Sequence, residues 1–345
     1  MHDMDHDGKP DVVVRTKHKF AVYFQKSPDS WIEVKADNAE REGMIVGDVD
    51  GDGDYDAVMN GFWLENPEHP RAGKWKRHNI DPTWYEDVTG GWQDHSVMAD
   101  IKDMNNDGRD DVILSHSEKT GFAIAWYESD NSTGGPDAWT KHEVGVVDYC
   151  HTLRGDDIDL DGDIDIVAAT LIRKSDPEIY VFINEGNGLT WRKQQVAATS
   201  AYKAKTGDID NDGLPEVVVG TMSPMENGQQ DQNATVWAIN GDSTVVPGFP
   251  VQTEQHIHSS PALGDLDGDG YNEIFGNTEV NGGHHVICLD RNGNLKWVFE
   301  GGDSFYSSPA AGDMEGDGYY EVIAASIDHK VYCINGTDGT LKWQR

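Results

Sequence analysis

Cysteine is scarce and odd in number: Cys150, Cys288 and Cys333 are the three in 345 residues. That count excludes a disulfide framework as the source of stability. Cys288 and Cys333 occupy matching places in two similar segments, Val-Ile-Cys-Leu-Asp and Val-Tyr-Cys-Ile-Asn, and are expected to be small core residues. Long apolar runs are missing too. No stretch approaches transmembrane length, and the first residues lack the basic-then-apolar layout of a secretory leader. Apolar residues come in short runs bounded by Gly, Asp or Asn, with no sustained period of 3.6, so helices contribute little. Positive charge is in short supply: 27 Lys and Arg stand against 62 Asp and Glu, a net charge of -35. Such a surface repels nucleic acid and anionic membranes, and it strains a compact fold unless cations offset part of it. The hydrophobic share of 37% is low for a compact enzyme of this size.

What is present is glycine (38 residues), tryptophan (11) and, above all, a repeat. Many turns and many aromatic anchors fit short strands better than long helices. The repeat is an aspartate-rich loop with acidic or amide groups at positions 1, 3 and 5, Gly at 6 and a carboxylate at 9. It occurs as Asp3, Asp5, Asp7, Gly8 and Asp11; as Asp48, Asp50, Asp52, Gly53 and Asp56; and as Asp103, Asn105, Asp107, Gly108 and Asp111. It returns as Asp157, Asp159, Asp161, Gly162 and Asp165, and as Asp208, Asp210, Asp212, Gly213 and Glu216. The last two are Asp265, Asp267, Asp269, Gly270 and Glu273, and Asp313, Glu315, Asp317, Gly318 and Glu321. Successive first aspartates are 45, 55, 54, 51, 57 and 48 residues apart, a spacing that marks a propeller or a similar array.

The chemistry of the loop is that of a hard cation. Calcium takes six to eight oxygens at roughly 2.3–2.6 Å. Carboxylates at alternate positions converge on one point only if the chain turns sharply, which the glycine permits. Position 7 can add its backbone carbonyl, and position 9 closes the cage. An EF-hand begins in the same way but closes at position 12 between helices. Here position 9 runs straight into β-branched segments, such as Val12-Val13-Val14 and Val217-Val218-Val219, which read as strands. The expectation is about seven structural Ca²⁺ ions, which would carry the net charge from -35 to about -21.

Each repeat reads as four strands. In the sixth, Pro261 to Leu266 leads into the loop, Glu273 to Asn277 leaves it, Val286 to Leu289 is third and Leu295 to Phe299 fourth. The fourth strand carries Trp31, Trp75, Trp139, Trp191, Trp297 or Trp343, expected to pack between neighbouring blades; repeat five has Pro247-Gly-Phe-Pro250 there instead. The fold expected is all-β, a single seven-bladed β-propeller over 1–345 with a calcium loop between strands one and two of each blade. Its repeats start near residues 1, 43, 95, 151, 202, 258 and 306. The first repeat has no room for its leading strand, so either that blade has three strands or the chain is a fragment of a longer protein.

These loops resemble the FG-GAP/VCBS repeat family, which includes the integrin α-subunit propeller. The segments Gly61-Phe-Trp63-Leu-Glu-Asn-Pro67 and Ala125-Trp126-Tyr127-Glu128 look like the secreted bacterial branch of these repeats. The resemblance implies the propeller and its calcium. It leaves function open, because such propellers include adhesion heads, lectins, and polysaccharide lyases and related dehydratases.

In a propeller the first strand of each blade is innermost. The residues just before it lie on the face opposite the calcium loops, where the resemblance implies ligand binding. Those positions hold Arg41 and Glu42, Gln93 and His95, Tyr149 and His151, Tyr202 and Lys203, His256 and His258, and Phe305 and Tyr306. Loops between second and third strands add His116, Glu118, Arg173, Lys174, Glu226, Glu279 and His284. Arg41, His95, His151, Tyr202, His258 and Tyr306 are the candidate ligand-binding set.

Three readings compete. The first is an extracellular recognition module for a glycan or another extracellular protein, with Tyr, His and Arg stacking on sugar rings or holding a side chain. The second is a lyase acting on uronate-containing polysaccharide. There Arg41 or Arg173 would neutralise the carboxylate, and His95, His151, His258, Tyr202 or Tyr306 would move protons. The third is a structural or adhesion unit of a larger surface protein. No nucleic-acid partner and no membrane insertion are expected, and the loops would fill reliably where calcium is plentiful, at the cell surface, in the periplasm or outside.

Overall fold

The computed structural model describes residues 2–16, 19–27, 30–37, 43–85, 96–130, 138–171, 177–201, 203–221, 225–226, 229–230, 234–253, 257, 259–280, 283–314 and 317–345. The chain forms two compact units. One comprises residues 1–155 with 184–192, the other residues 156–183 with 193–345.

The fold class is all-β, a seven-bladed β-propeller of antiparallel meanders. Blade one has three strands, Val12–Thr16, Lys19–Ser27 and Ser30–Asp37. A single bridge from His2 to Asp11 stands beside the first of them. The other six blades have four strands each, paired in chain order. Blade two is Ile45–Gly47, Asp56–Val58, Phe62–Glu65 and Lys76–Asn79. Blade three is Val97–Lys102, Asp111–His116, Ala123–Ser129 and Trp139–Val146. Blade four is Cys150–Asp156, Asp165–Thr170, Ile179–Asn184 and Trp191–Ala197. Blade five is Lys203–Gly207, Glu216–Gly220, Ala234–Ile239 and Val251–Thr253. Blade six is Ala262–Gly264, Glu273–Val280, Gly283–Leu289 and Leu295–Glu300. Blade seven is Ala310–Gly312, Glu321–Ala325, Val331–Asn335 and Leu341–Gln344.

Burial explains why the second strands carry apolar runs such as Val112-Ile113-Leu114 and Val217-Val218-Val219. Asp111–His116, Asp165–Thr170 and Glu216–Gly220 are buried at every residue, the pattern of strands with no face left to solvent. Fourth strands such as Trp139–Val146 and Trp191–Ala197 are only partly covered, and there polar residues interleave. The core is therefore a series of clusters, each joining two successive blades. One gathers Phe20, Phe24, Met59, Leu64 and Trp75 from blades one and two; another gathers Phe275, Cys288, Trp297, Val322 and Tyr332 from blades six and seven. Trp75, Trp139 and Trp297 pack between blades. Trp75 meets Phe20 edge-on at 5.5 Å, and Trp297 donates from Nε1 to the carbonyl of Gly336 at 2.7 Å. Trp31 and Trp343 differ, being 39% and 38% exposed. In blade five, whose fourth strand has no tryptophan, Phe249 is buried against Ile209, Val246 and Leu289. Cys150, Cys288 and Cys333 are buried thiols outside any disulfide.

Candidate metal centres

In blades two to seven the acidic loops join the first two strands, as expected, while in blade one the loop runs into the first strand, Val12–Thr16; all seven share one hydrogen-bond pattern. The backbone N–H of the position-6 glycine donates to Oδ2 of the first aspartate, at 2.8–3.1 Å. The N–H at position 7 donates to Oδ1 of the position-5 aspartate, at 2.8–3.0 Å. The N–H at position 2 donates to the position-9 carboxylate, at 2.8–3.3 Å. A nine-residue turn is thus closed by its own carboxylates before any ion is considered. The glycines at position 6 have φ between +83° and +97°, which a side chain rarely tolerates.

Two features of the loop were not anticipated from the sequence. Position 4 is also left-handed: Gly51 and Gly268 adopt it freely, Asn106 and Asn211 readily, and His6 and Leu160 at a cost. Position 2 is an apolar plug in the first six loops, while Met314 in the seventh is exposed. Met4, Val49, Met104, Ile158, Ile209 and Leu266 are buried, and their alternation with the aspartates was visible in every loop. The position-2 carbonyl also reaches the next blade, taking hydrogen bonds from Asn66 Nδ2 to Met4 (2.8 Å) and from Thr337 Oγ1 to Leu266 (3.4 Å).

The residues fit a hard divalent cation. Carboxylate oxygens of Asp3, Asp5 and Asp11 lie within 4.8 Å of one another, as do those of Asp48, Asp50 and Asp56. The same is true of Asp157, Asp159 and Asp165, of Asp208, Asp210 and Glu216, and of Asp265, Asp267 and Asp269. Oδ1 of Asp5, of Asp157 and of Asp210 is buried with no hydrogen-bond partner among the described residues, which is costly for a carboxylate and is relieved by a metal ion. Burial, then the neighbouring carboxylates, pushes Asp56 up to about 9 and Asp111 and Glu216 to about 7; Asp11 and Glu273 move in the same direction. In the third loop Asp103, Asn105, Asp107 and Asp111 keep the shared turn. Of the seventh set, Asp313, Asp317 and Glu321 are in place, while Glu315 lies outside the described residues.

Third-strand glutamates approach two loops in a way that sequence reasoning missed. Glu128 Oε1 accepts from Asn105 Nδ2 at 3.2 Å, while its Oε2 is 2.9 Å from His142 Nε2. Glu65 and His78 repeat the pairing in blade two at 2.6 Å. Each histidine stacks on a tryptophan, Trp126 or Trp63. The recurring Trp-x-Glu segments were the available signal.

Of the candidate ligand-binding residues, Arg41, His95, Tyr202 and His258 lie outside the described residues, as do Glu42, Gln93, Arg173, Lys174 and His256. His151 is buried in the first strand of blade four, whereas Tyr306 is 51% exposed. Phe305 is buried against Tyr332. His116 is buried between the rings of Trp84 and Phe122, and Phe122 is 44% exposed with Lys119 Nζ 5.9 Å from its centre. His284 Nδ1 is 2.8 Å from Ser304 Oγ and its Nε2 3.5 Å from Asp303. Among the described residues no helix is long and apolar enough to cross a membrane.

The family model for the FG-GAP-like repeat matches residues 3–59, 157–219 and 208–276, together a little over half of the chain. Among solved structures, Sqt1 of Saccharomyces cerevisiae is similar with a TM-score of 0.58 and 14% identity, over 95% of this chain and 79% of that one. BBS1N in complex with ARL6DN is similar with a TM-score of 0.57 and 12% identity, over 95% of this chain and 88% of that one. At these identities the likeness shows the fold alone. The V. cholerae biofilm matrix protein Bap1 has a TM-score of 0.44 and 19% identity over 72% of this chain, which spans 38% of that structure.

Proposed function

Because this chain belongs to the FG-GAP-like repeat family, we propose that it is a calcium-stabilised recognition module that works outside the cytoplasm and binds carbohydrate. The observation that carries the calcium is the convergence of carboxylates in the blade loops around buried oxygens without partners. Oxygen donors alone, at the apex of a glycine-closed turn, select a hard cation over a soft one. Loops of this kind at the surface fill where free calcium is abundant, which is the argument for an extracellular or periplasmic setting. The argument for a sugar ligand is the supply of exposed ring faces on loops away from the acidic turns, Tyr306 and Phe122 among them, in a chain whose net charge repels other polyanions.

The test has two arms. Calcium-loaded protein is applied to a glycan array, and the melting temperature is measured with calcium and with EDTA. The reading expects selective glycan binding and a marked fall in melting temperature on chelation. An unchanged melting temperature removes the calcium. Absence of glycan binding by the folded, calcium-loaded protein removes the carbohydrate.

A further inference from the structure

In two loops a lysine stands at the position-9 carboxylate. In blade six, Lys296 Nζ bonds Asp267 at position 3 and Glu273 Oε1 at position 9, the latter at 3.0 Å. In blade seven, Lys342 Nζ bonds Glu321 Oε1, again at position 9. The second oxygen of each glutamate is already engaged by a backbone N–H, from Leu266 and Met314 respectively. The lysines are mostly buried, with side chains 21% and 22% exposed, over glutamates 2% and 1% exposed.

The aim of these lysines is built into the sheets. Each is the middle residue of a Leu-Lys-Trp segment in a fourth strand. In blade six Cys288 pairs with Trp297 and Leu289 with Leu295, so Lys296 is the extra residue at a bulge. In blade seven Cys333 pairs with Trp343 and Ile334 with Leu341, so Lys342 is the extra residue at the same place. A bulge leaves one residue unpaired and turns its side chain away from the regular alternation. Here it turns an ammonium into the acidic loop. The consequence shows in the sixth loop: the oxygens that converge are those of Asp265, Asp267 and Asp269, and position 9 is not among them, whereas in loops one, two, four and five it is.

We propose that Lys296 and Lys342 are resident cations that take the calcium's place in blades six and seven, so that calcium is confined to the first five loops. This inference rests on the calcium reading given above. The ammonium offers donors to the same oxygens a metal would ligate, and two cations on one position-9 carboxylate repel. The first loop shows the contrast. Arg71 pairs there with Asp5 and Asp7 at positions 3 and 5, from a side chain 34% exposed. Oδ1 of Asp5 still lacks a partner, and Asp3, Asp5 and Asp11 still converge. Arg71 sits at the rim of a metal cage, while Lys296 closes one.

The experiment counts ions. Equilibrium dialysis with calcium is run on the full chain, on K296M, on K342M and on the double variant, with circular dichroism as the check on folding. Methionine keeps the apolar stem and removes the charge. One additional bound ion per lysine removed is expected, and a double variant more sensitive to EDTA than the parent. A parent that binds calcium with a count unchanged in the variants overturns the proposal while leaving the calcium reading intact. A parent that binds none overturns the calcium reading itself, and this proposal with it. Variants that fold only when calcium is supplied support the exchange. Should they not fold at all, amine acetylation of the parent, read by mass spectrometry, decides. Labelling of Lys296 and Lys342 equally slow with calcium and with EDTA supports residence in the loops. Faster labelling in calcium means the metal displaces them, and the proposal falls.

Discussion

Asn66, at the end of the third strand of blade two, donates its side-chain amide to the carbonyl of Met4 in the loop of blade one at 2.8 Å. Its own backbone N–H donates to Asp56 Oδ1 at 2.9 Å, within the loop of its own blade. One residue therefore links two successive acidic loops. Both bonds are buried, so neither partner has water to fall back on. Replacing Asn66 with Ala leaves the Met4 carbonyl bare and is expected to cost about 1–3 kcal/mol. Urea unfolding at saturating calcium measures it; a change in midpoint within error would mean that the link between the loops is not stabilising.

The buried carboxylates make the metal-free protein sensitive to pH in a direction opposite to the usual one. Asp56 is raised to about 9 and Asp111 and Glu216 to about 7, chiefly by burial. A carboxyl whose folded value lies above its unfolded value of about 4 holds a proton in the folded state that the unfolded chain has released. Stability then falls as pH rises from about 4 through the raised values. In EDTA the melting temperature should be higher at about pH 5.5 than at about pH 8, and calcium should abolish or reverse the difference. D56N, which removes that charge, should lose less stability on chelation at about pH 8 than the parent does.

Leu160 holds φ +56° at position 4 of the fourth loop and is 52% exposed. It gains little from packing and bears the crowding of a left-handed residue, about 1–2 kcal/mol. L160N should stabilise the protein by up to about 1 kcal/mol, since asparagine tolerates that conformation. G162A, two residues on at φ +95°, should destabilise by about 1–2 kcal/mol, although open space surrounds it. Thermal unfolding of both variants gives the signs; a stabilised G162A would refute the backbone argument.

Trp297 Nε1 donates to the carbonyl of Gly336 while its ring lies buried between blades six and seven. W297F keeps most of the apolar area and loses the donor. A loss of about 1–3 kcal/mol is expected from the unpaired carbonyl. Because the ring stands next to Lys296, the calcium count of W297F should be determined in parallel. A change there would show that the tryptophan also sets the aim of the lysine.

The loops were legible in the sequence because the hydrogen bonds that close each turn are local. Asp3 to Gly8, Asp7 to Lys9 and Asp11 to Met4 span seven residues or fewer. The left-handed fourth position was half legible. Gly51, Asn106, Asn211 and Gly268 announce it, but His6 and Leu160 do not, since a strained residue can be carried where the rest of the turn over-determines the backbone. The Trp-x-Glu segments were visible as resemblance, yet the pairing of Glu65 with His78 and of Glu128 with His142 depends on strand register.

By itself, the sequence determined the number of acidic turns, the cation chemistry they suit and the strands they feed. These follow from the spacing of oxygen donors around a glycine, which is the same wherever the segment is placed. The tertiary structure alone decided which oxygens end buried and which cation they face. Lys296 and Lys342 stand 23 and 21 residues beyond the glutamates they reach, and nothing in Leu-Lys-Trp says which way the lysine points. A bulge does that, and a bulge is a property of two paired strands.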